Sequence, residues 1–174
     1  MQPITAFSLL PARTDGLELN PLKMPLYFNG QHTHTFIAGL VIEGQYRCVL
    51  TNKTSGYLII TSFDCPFEES TEFSLLDEAF KLIATTSLAQ MYDSFLLHSH
   101  WPIADNRLRL HYYGQFVLDL VITAGSSWLT ARPKLKLIEV VDPQSDPQSD
   151  PQTAAAMAEL AQRLAAIEKS LMWD

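Results

Sequence analysis

Cysteine is scarce in this chain, with Cys48 and Cys65 the two thiols among 174 residues. Two thiols without a Cys-x-x-Cys spacing do not make a disulfide framework. Both adjoin apolar runs, which predicts buried free thiols. Glycine is sparse too: the seven are scattered and form neither a P-loop nor Gly-x-Gly-x-x-Gly, so nothing supports phosphate binding. Gly-x-Ser-x-Gly is absent, and Ser99 between two histidines fits no nucleophile geometry. No apolar run approaches the ~20 residues of a membrane span. Met1-Gln2-Pro3-Ile4 lacks the basic start and apolar core of a signal peptide, so a cytoplasmic protein is expected, with no membrane partner. Positive charge is in deficit: 12 Lys and Arg against 19 Asp and Glu leave a net charge of -7. Nucleic-acid-binding domains usually cluster cations, so nucleic acid is a disfavoured partner.

What remains is an ordinary globular composition, 47% hydrophobic and 18% charged. Residues 1–141 form one expected domain, of a size that buries a sizeable core. They hold ten Lys/Arg and thirteen Asp/Glu, a net of -3 (10 − 13). Asp64, Glu68, Glu69, Glu72, Asp77 and Glu78 lie together with no base between Lys53 and Lys81. That run reads as a solvated loop and a helix start.

Along the chain, Pro3, Pro11, Pro21 and Pro25 punctuate an irregular arm. Leu26-Tyr27-Phe28 then runs into Asn29-Gly30, a strong turn pair. Thr35–Ile42, Tyr46–Leu50 and Tyr57–Thr61 read as strands, with turns at Glu43-Gly44 and 52–56. A helix is expected next. Ser70 or Thr71 suits its cap, and Leu75, Leu76, Ala79, Phe80, Ile83 and Ala84 fall at helical spacing. It continues through Leu88, Met91, Tyr92 and Phe95. Beyond Pro102, strands are expected at Arg107–Tyr112, Phe116–Ile122, 128–130 and 134–141. The order is three strands, a helix, then three to four strands. That predicts an α+β fold with a mostly antiparallel sheet or a partly open barrel. Barrels that bind oligonucleotides or oligosaccharides also place a helix after the third strand, an analogy of topology alone.

The tail departs from this pattern. Asp142-Pro143-Gln144-Ser145 recurs as Asp146-Pro147-Gln148-Ser149 and begins again at Asp150, so residues 142–152 read as an extended polar linker. In 153–174, Met157, Leu160, Leu164, Ile167 and Leu171 follow a 3, 4, 3, 4 spacing, the heptad signature of a coiled coil. Arg163 and Glu168 fall where they attract across a parallel pair. A helix this short is marginal alone, so it is expected to dock on a copy of itself, on another protein or on its own domain. Trp173 is a candidate anchor for that docked state.

Chemistry-bearing residues are few. His32 and His34, and His98 and His100, form two His-x-His pairs, and residues two apart share one side of a strand. Two converging pairs would suit a transition metal. The cupin metal pattern opens the same way, but its following Glu is missing, since Glu43 lies too far on. Arg107, Arg109, His111 and Tyr113 alternate on one strand face, with Lys134 and Lys136 on another, and a solvated outer face accounts for both. Trp101 and Trp128 read as core. The function these readings favour is a non-enzymatic oligomerising scaffold or accessory subunit without a cofactor, assembling through its C-terminal helix. The alternatives are a single-stranded nucleic-acid-binding barrel and a metal-dependent enzyme built on the histidine pairs.

Overall fold

The computed structural model describes residues 1–10, 23–50, 53–63, 70–89, 96–113, 116–124 and 132–141. They form twelve strands in three antiparallel sheets. The first sheet has the order β1-β5-β6-β7-β8: Gln2–Pro3, Val41–Val49, Ser55–Ser62, Thr71–Asp77 and Leu82–Leu88. The second runs β12-β11-β10-β9: Lys134–Glu139, Phe116–Thr123, Arg107–Tyr112 and Leu97–Ala104. The third is β2-β3-β4: Phe7–Leu9, Lys23–Phe28 and Gln31–Ala38.

The five-stranded sheet is the middle layer. One face packs on the four-stranded sheet through Tyr46, Leu58, Ile60, Phe73 and Leu75 against Leu108, Leu110, Tyr112, Leu118 and Leu120. Its other face packs on the three-stranded sheet through Ile59 and Leu76 against Phe7, Leu26 and Ile37. The rings of Phe7, Phe28, Tyr57 and Phe80 cluster there, centroids 4.9–5.9 Å apart. Being buried on both faces explains the composition of β6: Leu58-Ile59-Ile60 is continuously apolar, as a central strand must be.

The all-β architecture corrects the α+β expectation, since the described residues contain no helix. Thr71 to Leu88 is a hairpin, β7 and β8, where the main helix was expected. Two physical facts decide this. β7 buries both of its faces, Phe73 and Leu75 toward one core and Leu76 toward the other, so its run of apolar residues has no helical stripe to honour. The turn between the strands carries no Gly or Pro. Asp77 makes it instead: Oδ1 accepts the N–H groups of Ala79 and Lys81, at 2.9 and 2.8 Å. Phe80 adopts φ +63° beside it, held by its ring cluster. Met91, Tyr92 and Phe95 lie outside the described residues. The analogy with helix-containing barrels falls with the helix.

Two further boundaries move. Thr35–Ile42 is not one strand, because Gly39 (φ +96°) breaks it and turns β4 into β5. A Cβ there would sit 2.4 Å from Thr61 Oγ1. Glu43-Gly44 is no turn; it lies inside β5 at a bulge. The Asn29-Gly30 turn does form, both residues at positive φ. The coiled coil is likewise corrected: no described element is a helix. The assembly residues Met157, Leu160, Arg163, Leu164, Ile167, Glu168 and Leu171, the linker and Trp173 lie outside the described residues. Among the described residues, no helix is long and apolar enough to cross a membrane.

Candidate functional site

The alternation in β10 sends Leu108, Leu110 and Tyr112 into the core and Arg107, Arg109 and His111 to the outer face of the four-stranded sheet. β11 does the same, with Leu118 and Leu120 inward and Val117, Asp119 and Val121 outward. That outer face was expected to be wet. Instead Arg109, His111 and Asp119 are each 0% exposed, and Trp101 on β9 is 9% exposed.

Asp119 sits directly across from Arg109. Arg109 grips it with two bonds, Nε to Oδ1 at 2.7 Å and Nη2 to Oδ2 at 3.1 Å. Arg107 also reaches Oδ2 with Nη2. Asp119 and the two guanidiniums form a triad in which Asp119 and Arg109 are 0% exposed and Arg107 is 25% exposed. Burying charge costs several kcal/mol per ion, about what good geometry returns, so such a triad fixes geometry more than it adds stability. Next along the strand, His111 has no hydrogen-bond partner on either ring nitrogen. Burial lowers its pKa, and the neighbouring His98 lowers it further. It therefore stays neutral among cations. The Nε1 of Trp101, opposite Arg109, also lacks a partner.

The histidine pairs part ways. A bulge in β9, where Leu97 and His98 together oppose Tyr112, breaks the two-residue period. His98 turns to the outer face, its ring centroid 5.5 Å from that of His111 and 5.0 Å from that of Tyr113. His100 points the other way, between the sheets. Its Nε2 donates to the Glu43 carbonyl at 2.9 Å, which leaves Nδ1 to accept the Tyr46 hydroxyl at 2.5 Å. Burial lowers the pKa of His100 and pushes Tyr46 up to about 12, so both are neutral. Gly44 makes room for this contact: a Cβ there would meet His100 Cε1 at 2.5 Å. The pair is a strut between β5 and β9.

His32 and His34 do come together. Both are exposed on β4, ring centroids 4.7 Å apart, with Tyr27 and Phe36 beside His32. They lie in the three-stranded sheet, away from β9. Among the described residues, no three His, Cys, Asp or Glu side chains gather as a metal site would require. Cys48 is a buried free thiol, its pKa pushed up to about 11 by burial, which removes it as a nucleophile. Cys65 lies outside the described residues, as does Trp128.

Of the acidic cluster, Glu72, Asp77 and Glu78 are described. Asp77 builds the hairpin turn, and Glu78 approaches Arg47 at 3.8 Å on the surface. Burial raises the pKa of Glu72. Lys134 and Lys136 stay exposed on β12, the edge strand beside β11.

Sequence reading overlooked Asp119, Tyr46 and Gly44. The first had a legible signal, as the single charge inside the apolar run Phe116 to Ile122 and ten residues beyond Arg109 in an expected hairpin. Compared with known proteins, the chain matches no family model, no curated protein and no solved structure.

Proposed function

We propose that this protein is a non-enzymatic assembly module, a three-layer β body that associates with a copy of itself through residues 142–174. One observation carries the reading: among the described residues, Asp119, His100 and Cys48, three of the side chains that could do chemistry, are engaged in structure. Asp119 holds Arg107 and Arg109. His100 is spent on Tyr46 and Glu43, and the Cys48 thiol is buried and protonated. The apolar spacing of Met157, Leu160, Leu164, Ile167 and Leu171 is the most partner-directed pattern left in the chain. The Asp-Pro-Gln-Ser repeat of 142–152 has the composition of a polar linker, and a proline-rich chain of that length, if extended at about 3.1 Å per residue, would span about 34 Å.

The nucleic-acid reading is weaker for the same reason. Its best cations, Arg107 and Arg109, already bind a carboxylate, and Lys134 and Lys136 alone make a thin stripe. The metal reading keeps His32 and His34, two ligands where a protein site generally supplies three or four. A cytoplasmic location is part of the proposal, and the free buried thiol of Cys48, which suits a reducing compartment, supports it. The test is the solution mass of the full chain and of its Leu164→Asp/Ile167→Asp variant, by light scattering after size exclusion. A multimer that the variant reduces to one chain supports the module; equal masses overturn it.

A further inference from the structure

The three-stranded sheet presents two ligating side chains at its surface. Of the five histidines, His100 engages Tyr46 and Glu43 with its two ring nitrogens, and His111 is 0% exposed. His98 packs its ring against His111 and Tyr113. His32 and His34 differ from all three. Both are exposed, both lie on β4, the edge strand of its sheet, and their ring centroids are 4.7 Å apart.

The backbone brings this pair together. Residues two apart on a regular strand are separated by about 6.7 Å along it. Here β4 is bulged: Pro25 opposes Phe36 and Tyr27 opposes His32, so Leu26 alone faces Thr33, His34 and Thr35. Thr33 holds the bulge, its hydroxyl donating to the Leu26 carbonyl at 2.7 Å and accepting the Thr35 N–H at 3.3 Å. His34 adopts φ +62° within it, a conformation uncommon outside glycine. Thr35 Oγ1 donates to the Phe80 carbonyl at 2.7 Å and ties the bulge to the β7–β8 turn. The rings of Tyr27 and Phe36 flank His32, centroids 5.1 and 6.0 Å away. A ring seated between such neighbours loses less freedom when it binds.

We propose that His32 and His34 chelate one divalent transition-metal ion of the nickel, copper and zinc group, with water completing its coordination. The ring spacing supports this. An imidazole nitrogen bonds such an ion at about 2.0–2.1 Å, which puts the ion about 3.2 Å from each ring centroid. With about 90° to about 109° between the two bonds, tetragonal to tetrahedral, the centroids stand about 4.5–5.2 Å apart. The observed 4.7 Å lies in that range; two bonds in line would require about 6.4 Å. Donor type sets the class of ion, since imidazole suits nickel, copper and zinc, whereas magnesium and calcium take oxygen. Enclosed centres draw three or four ligands from the protein. Among the described residues no third His, Cys, Asp or Glu joins this pair, so the site is open and its ion exchangeable. Because the second imidazole binds from the same strand, the pair holds an ion more tightly than one histidine does.

This goes beyond the assembly reading and stands whether or not the chain associates. The test uses the full chain without an affinity tag and copper(II) as the probe, the tightest of the group. Titration calorimetry gives affinity and stoichiometry, and electron paramagnetic resonance counts nitrogen ligands. One copper per chain with two coupled nitrogens is expected, unaffected by excess magnesium. His32→Gln and His34→Asn each remove one imidazole from an exposed position, and asparagine tolerates the left-handed backbone at 34. Each should weaken binding about tenfold or more, with the circular dichroism of the sheet unchanged. The unmutated chain supplies a second reading. Substoichiometric copper should broaden the ring-proton resonances of His32 and His34 and spare those of His98, His100 and His111, which lie in the four-stranded sheet beyond the middle layer. No binding at micromolar copper, one ion for two chains, displacement by magnesium, a folded variant as tight as the parent, or broadening centred on the other histidines overturns the proposal.

Discussion

Replacing Asp119 by Asn removes one negative charge from a site where Asp119 and Arg109 are both 0% exposed. The shape is nearly conserved, so the change isolates electrostatics from packing. Three contacts weaken at once: the two bonds from Arg109 and the one from Arg107. Arg109 is then a fully buried cation facing a neutral amide. Removing one member of a buried ion pair costs about 3–5 kcal/mol, because the surviving charge is stranded. Whole-chain stability for a domain of this size is about 5–15 kcal/mol, so the loss is about a fifth of it or more. At about 2–4 °C per kcal/mol, the melting temperature falls by about 6–20 °C. Urea denaturation followed by circular dichroism measures the free energy directly. The surface pair supplies the control: Arg47 and Glu78 are both more than half exposed, and Glu78→Ala should change stability by less than about 1 kcal/mol. Replacing both central partners, Arg109→Met with Asp119→Leu, should recover much of what Asp119→Asn loses, since the pair was near neutral against an apolar substitute. Should Asp119→Asn cost no more than the Glu78 control, the buried triad is not a coupled unit and the account of this face is wrong.

Acid should weaken the fold through its histidines. His100 and His111 both have pKa values lowered by burial. Unfolded, each titrates near the ordinary value of about 6.5. The unfolded chain thus binds protons first as pH falls, so stability is full above that value and declines as pH drops below it and through the folded values. Urea midpoints measured across that range should fall with acidity, and His111→Phe should flatten the decline; an unchanged slope would contradict the assignment. Gly44→Ala should destabilise by about 1–3 kcal/mol, the cost of forcing a methyl into occupied space, because its Cβ would meet the His100 ring. If Gly44→Ala is as stable as the parent, His100 does not stand where it is drawn.

Much of the sheet content was legible, and the reasons are local. Arg107–Tyr112 and Phe116–Ile122 alternate or run apolar in the way strands must, and they pair as β10 and β11. Asn29-Gly30 carries its own turn chemistry and makes the β3–β4 turn. The hairpin β7–β8 was illegible because its turn uses Asp77 and a strained Phe80, where punctuation by Gly, Pro or Asn would have been visible. Its strand β7 is covered on both faces, which erases the two-residue period and lets Leu75, Leu76, Ala79, Phe80, Ile83 and Ala84 imitate a helical stripe. At the candidate site, the polar alternation of Arg107, Arg109 and His111 was read correctly as one face. Its burial was not readable, since the sequence of a strand does not say what lies above it. The divergence of His98 from His100 depends on one inserted residue in β9, a register event fixed by the partner strand β10. Asp119 was within reach: a lone acid in an apolar strand demands a buried cation, and Arg109 lies opposite.

The central claim is that residues 142–174 assemble the protein, and its most direct test is absolute mass in solution. The full chain should elute as a multiple of 19.6 kDa by light scattering. Leu164→Asp/Ile167→Asp should elute at the mass of one chain, with the circular dichroism of the parent sheet intact. A full chain and a variant of equal mass would contradict the claim.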